Sequence, residues 1–138
     1  KLRTLPLPDE IYTHNVMGEY GHPHHQDLCY AVHKAFEKHP ALYSVAYNSY
    51  PEISIALTRE QFALKTKILT EVYRNETRRF LNLLPVTFTE GFHRDERREV
   101  EAIYDFLTGI RPLDARAVQA HRGFIDYLPQ LRDLQRPF

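Results

Sequence analysis

The order of apolar and polar residues along this chain changes period several times, and each change marks an expected element. Leu2 to Pro8 alternates leucine with arginine, threonine and proline and leads into Ile11-Tyr12-Thr13, predicting a surface connection that feeds a short strand over residues 10–14. The glycine-rich stretch from Gly18 to Pro23 reads as a loop. Pro23 then suits the first turn of a helix with apolar positions Leu28, Ala31, Val32, Ala35 and Phe36. Ala41 to Tyr47 and Ile53 to Leu57 are short aliphatic and aromatic runs flanking the turn-like Asn48-Ser49-Tyr50-Pro51, and they read as strands or as irregular aromatic packing. Thr58 with Gln61 is a capping pattern that opens a long helix, expected to bury Phe62, Leu64, Ile68, Leu69, Val72 and Tyr73, with Phe80 in line and Pro85 as its latest end. Val86 to Thr89 reads as a short extended piece. Asp95 to Leu107 and Asp114 to Leu128 read as two further helices, divided by Gly109 and Pro112.

Strand, loop and helix in that order predict an α/β protein, the class that places ligands beyond its strand ends. As a doubly wound fold the inventory is incomplete, because nothing ahead of Ile11 forms the parallel neighbours that a buried strand requires. The expectation is therefore a carboxyl-terminal portion of a larger protein, whose missing amino-terminal segment, or a companion chain, completes the sheet. With 138 residues, 43% of them apolar, the chain has the material for one domain and a moderate core. Eighteen Lys and Arg balance 18 Asp and Glu, so no long-range field points to nucleic acid or to an anionic membrane. The single cysteine, Cys29, excludes an internal disulfide and a thiolate metal cluster, and it suits a reducing, cytoplasmic setting. No run approaches the roughly 18 apolar residues of a transmembrane segment.

The candidate chemistry lies between Tyr12 and His25, where four of the eight histidines fall among glycines and a proline. Imidazole is a common zinc ligand, and catalytic zinc takes three protein ligands and leaves a position for water. His24 and His25, adjacent in a helix, point about 100° apart and do not converge easily on one ion, whereas His22 and His25 share a face. That pair fits one metal ligand and one group directed at a substrate. His14 at the strand end reaches the same space, and Glu19 is placed to orient an imidazole. Surface histidines or an adventitious metal patch would show the same spacing, so both readings stand at this point. His33, His39, His93 and His121 lack such a setting and read as surface or packing residues.

The strings Thr13-His14-Asn15 and Gly18-Glu19-Tyr20-Gly21-His22-Pro23-His24-His25 resemble the second histidine motif of the LmbE-like, or PIG-L-like, N-acetylglucosaminyl deacetylase superfamily. Lys65, Tyr73 and Glu76, leading into Phe88-Thr89-Glu90-Gly91-Phe92, look like that family's closing region, so the likeness spans residues 10–94. The resemblance implies part of a Rossmann-like deacetylase fold over residues 1–94; the additional carboxyl-terminal helices over 95–138 have no counterpart in the likeness and are expected to pack on the same domain. It implies zinc, or another divalent metal, and hydrolysis of the N-acyl amide of an amino sugar or related glycoconjugate. Carried over by position, the family's last metal-binding histidine is His25, and the histidine that steadies the oxyanion is His22. The position often held by aspartate is His24 here, and His14, Asn15 and Glu19 are left as residues behind the ligands or on the substrate side. The family's Ala-His-Pro-Asp-Asp-Glu string, which supplies a histidine, an aspartate ligand and the general base, is absent from these residues. The implied activity thus belongs to a complete protein of which this chain supplies part of the site. The alternatives are a non-catalytic scaffold with a vestigial metal loop, or a hydrolase of another amide or ester.

Two further groups take a bland reading. Tyr43, Tyr47, Tyr50 and Phe92 fit a sugar-binding wall, but core packing explains them as well. Arg78, Arg79, Arg94, Arg97 and Arg98 suit bidentate contacts to an anion. Their interleaving with Asp95, Glu96, Glu99 and Glu101 predicts instead a solvent-exposed, internally paired helix.

Overall fold

The structure is a computed structural model that describes residues 6–46, 51–79, 87–113 and 116. Asn48 to Tyr50, Phe80, Pro85 and, Arg116 apart, the helix expected from Asp114 to Leu128 lie outside the described residues. Four strands, β1 (Ile11–Thr13), β2 (Leu42–Val45), β3 (Ile53–Ala56) and β4 (Thr89–His93), form one mixed sheet in the order β1-β2-β4-β3, which with its helices is an α/β arrangement. Two compact units divide the chain, residues 1–53 with 91–138 and residues 54–90.

In the first unit, β1 pairs in parallel with β2, Tyr12 opposite Tyr43 and Thr13 opposite Ser44, and β2 pairs antiparallel with β4, Ser44 opposite His93. The expectation that β1 finds no parallel neighbour among these residues is overturned, because the neighbour follows it in sequence. The crossover between the two strands is helix α2 (Pro23–Ala35), making a β-α-β unit. Proline at the first helical position lacks the N–H that would go unbonded there anyway, and the residue before it, His22, is extended with ψ of 118°.

The buried face of α2 is Gln26, Cys29, Val32 and His33, while Leu28 and Ala31, expected inside, are exposed. The sheet explains the rotation. Pairing register aligns Thr13, Ser44 and His93 in one row, and all three are buried. A polar row favours polar and small partners above it. Cys29 Sγ lies 3.6 Å from His33 Nδ1 and 3.9 Å from Ser44 Oγ, and His33 Nδ1 hydrogen-bonds the Cys29 carbonyl at 2.9 Å.

Helix α5 (Arg97–Leu107) supplies the apolar complement: Val100, Ile103 and Leu107 pack with Val16, Met17 and Cys29 in the core. Tyr104 stacks on Tyr30 at 4.2 Å and donates its hydroxyl to Asp27 at 2.7 Å, tying α5 to α2. This corrects the expectation of a solvent-exposed, internally paired helix. Glu99 and Asp105 are buried, and Arg97 pairs outward with Glu37 on the segment after α2.

The second unit carries α3 (Arg59–Lys67), a π-helical turn over Ile68–Val72 and α4 (Arg74–Arg79). Its start is as the sequence indicates: Thr58 Oγ1 accepts from the Gln61 N–H at 3.2 Å, and Gln61 Oε1 accepts from the Thr58 N–H at 2.9 Å. The expected apolar face does not hold, since Leu64 and Val72 are 58% and 74% exposed and Ile68 and Tyr73 are exposed as well. One cause is the wide turn, closed by the Tyr73 N–H on the Ile68 carbonyl at 3.0 Å, which breaks the 3.6-residue period that the pattern assumed. Thr66 and Thr70 add hydroxyl bonds to carbonyls four residues back, which bend a helix. Within this unit Phe62 stacks on Phe88 at 3.9 Å, and Lys65 pairs with Glu90 at 2.6 Å. No helix among the described residues is long and apolar enough to cross a membrane.

Candidate metal centre

The loop after β1 is shaped by its backbone. Asn15, fully buried, donates from Nδ2 to the Val45 carbonyl at 3.0 Å and accepts at Oδ1 from the Met17 N–H at 2.8 Å, so it fastens the end of β1 to the end of β2. The single turn α1 (Gly18–Gly21) follows, with φ of +69° at Gly18, +56° at Glu19 and +89° at Gly21. Glycine tolerates this region, and at Gly18 a Cβ would come within 3.0 Å of Gln26 Cγ. Glu19 does not share that freedom. A side chain at positive φ is disfavoured by about 1–2 kcal/mol and persists where its surroundings determine it.

Those surroundings are two imidazoles and an amide. One carboxylate oxygen of Glu19 lies 3.1 Å from His14 Nδ1 and 2.9 Å from the Asn15 amide nitrogen, whose N–H donates to it; the other meets His25 Nδ1. The Glu19 side chain is 10% exposed, so these groups replace most of its water. An ionised carboxylate only accepts hydrogen bonds, so with Glu19 ionised each facing Nδ1 carries the proton. Each Nε2 of the neutral rings then keeps its lone pair, the form in which imidazole binds a metal.

His25, in the first turn of α2, stacks on His14 with ring centroids 3.9 Å apart and on His22 at 4.5 Å, giving a column of three imidazoles. His22 sits at the head of α2, its carbonyl accepting from the His25 and Gln26 N–H groups at 3.1 and 3.2 Å. Its pKa is lowered from the usual 6.5, chiefly by desolvation and then by the neighbouring His25 and His24, so the neutral ring is favoured. His24 touches His22 edge-on at 5.2 Å and is itself exposed.

His14, Glu19 and His25 each offer a ligand atom within 4.8 Å of the others. While both Glu19 oxygens face Nδ1 nitrogens, the donors open to an ion are the two Nε2 atoms, and imidazole nitrogen suits divalent zinc, with Glu19 orienting the rings rather than binding. The fit has one condition. His14 and His25 lie within 16° of parallel, so their in-plane lone pairs run side by side, and convergence on one ion needs a ring rotation.

Of the residues singled out in the sequence, His14, Asn15, Glu19, His22 and His25 meet in this loop, and His24 lies at its rim. His33 and His93 are buried between α2 and the sheet, His39 bonds the Pro8 carbonyl at 2.8 Å, and His121 lies outside the described residues. Gln26 escaped the sequence reading. Its side chain is buried and donates to the Met17 carbonyl at 3.3 Å, bracing the loop from below. A polar residue on the inward side of a helix carries no periodic signal. No family model matches the chain, and comparisons with curated proteins and with solved structures find no match either.

Proposed function

We propose that this loop is part of the active site of a zinc-dependent N-deacylase acting on an amino sugar or related glycoconjugate, within a Rossmann-like deacetylase fold completed by a further segment or companion chain. The observation that carries the reading is Glu19, held at positive φ with both carboxylate oxygens against imidazole nitrogens. Its tautomeric consequence is to present Nε2 of His25, with His14 beside it, to a divalent ion.

A bound ion would polarise the acyl carbonyl and make water a stronger acid at that point. The chain's own residues do the rest of what is assigned here. Glu19 fixes the ring orientation of His25. His22, with its neutral form favoured, donates an N–H to the carbonyl oxygen as negative charge develops on it. In the overall reaction the oxygen of water bonds to the carbonyl carbon and the C–N bond breaks, giving a carboxylate and a free sugar amine. The general base is assigned to the further segment, and the lone buried thiol favours a cytoplasmic setting.

The test is amine release by the full protein loaded with zinc, across N-acetylglucosamine conjugates and acetylated peptides. Turnover of an amino sugar is expected, abolished with zinc binding in His25→Ala, and reduced mainly in kcat with zinc retained in His22→Ala. Turnover of peptides with none of any amino sugar would reject the substrate class. Full zinc occupancy in His25→Ala would reject the centre.

A further inference from the structure

The strand that delivers His14 also delivers Tyr12. Burial alternates along the segment, with Thr13 and Asn15 buried while Tyr12 is 52% exposed and His14 half-buried, so Tyr12 and His14 share the outward side. Two residues of strand separate them by about 6.6 Å along the backbone.

Tyr12 is exposed without being loose. Its ring stacks on Tyr43, the residue opposite it in the register, with centroids 5.3 Å apart, and meets the edge of Phe92 at 5.1 Å. Its hydroxyl donates to Glu10 at 2.9 Å. Tyr43 beneath is 8% exposed and is pinned in turn by the Arg94 guanidinium, which donates to its hydroxyl at 3.0 Å. A lone exposed aromatic is ordinary on a protein surface. A ring braced on two sides, with its remaining surface open on the side that His14 shares, is a prepared contact for another ring that presents an apolar C–H face.

We propose that Tyr12 is the stacking platform for the pyranose ring of the substrate, holding the sugar while its acyl amide lies at His14 and His25. This rests on the proposed function for the amide end, whereas the ring contact itself depends only on Tyr12. Tyr43 and Phe92 act from beneath as positioning residues, and the platform selects a cyclic over an acyclic amide.

Saturation-transfer NMR with N-acetylglucosamine and with N-methylacetamide, on protein with and without zinc, separates the two ideas. Wild-type protein should bind the sugar more tightly than the acyclic amide, with saturation strongest on the ring protons. Tyr12→Leu, which keeps apolar bulk over Tyr43, and Tyr12→Ala should each weaken sugar binding roughly three- to tenfold. Tyr12→Phe should retain it, and zinc affinity should be unchanged in all three. Sugar binding equal to wild type in Tyr12→Leu, or no preference for the sugar in wild type, would overturn the platform. Failure to bind zinc, with Tyr12-dependent sugar binding intact, would reject the metal reading and leave the platform standing.

Discussion

Replacing Glu19 by Gln separates the chemistry of the loop from its shape. The side chain keeps its length and the backbone keeps its φ of +56°, and the amide oxygen still accepts from the Asn15 N–H. What is lost is the second acceptor. Gln offers one oxygen and one NH2, so it cannot accept from both His14 and His25, and one ring must turn or change tautomer. Removing a carboxylate that orients a metal-binding histidine typically weakens metal affinity 10–100-fold, or about 1.4–2.7 kcal/mol. Competition against a chromophoric chelator at fixed ionic strength measures this directly. Glu19→Gly is the companion variant: it relieves a local cost of about 1 kcal/mol at positive φ, yet should lose zinc affinity at least as much as Glu19→Gln. Zinc binding by Glu19→Gln within twofold of wild type would refute the reasoning, leaving Glu19 a structural cap.

Other expectations concern protons, thiols and an isolated charge. In metal-free protein the His22 ring should titrate below 6.5, followed by its NMR signals. The unfolded chain then takes up that proton first as pH falls. The stability contributed by neutral His22 is therefore complete above 6.5 and lost as pH falls from there through the lower folded-state midpoint, and His22→Asn should flatten this acid-side loss. A His22 midpoint at or above 6.5 would contradict it. Burial, and secondarily the charge of Asp95, pushes the Cys29 thiol far above its usual range, so alkylation by iodoacetamide should proceed only as fast as the protein unfolds. Prompt labelling of folded protein would refute this. Both carboxylate oxygens of Asp95 are inaccessible and have no hydrogen-bond partner among the described residues, so Asp95→Ala should stabilise the fold, by about 1–3 kcal/mol in urea unfolding. A loss of stability would show that the carboxylate has a partner.

Local grammar was readable from the sequence where one residue decides the outcome. Pro23 opened α2, Thr58 and Gln61 capped α3, and Ile11 to Thr13 formed a strand ending at the histidine loop. What failed was inference from hydrophobic period to burial. Leu28 is outside and His33 inside because the sheet presents Thr13, Ser44 and His93 to α2, a fact of register between distant segments. Leu64 and Val72 are exposed, and the π-helical turn over Ile68–Val72 shifts the residues after it out of the 3.6-residue period that the pattern assumed. In the loop, spacing brought out the histidines, and the flanking glycines hinted at the turn. That Glu19 reaches two imidazoles at once depends on its own positive φ, which no residue-type rule assigns to glutamate.

The central claim is that this imidazole column meets a divalent ion through the nitrogen that Glu19 leaves free. Long-range 1H–15N correlation NMR of the histidine rings during a zinc titration tests it most directly, because it reports the protonation and coordination of each ring nitrogen. Nε2 of His25 should move to the position of a metal-bound nitrogen at one equivalent of zinc, while its Nδ1 stays protonated against Glu19. An unchanged His25 ring at saturating zinc, or coordination through Nδ1 with the Glu19 contact broken, would contradict the account.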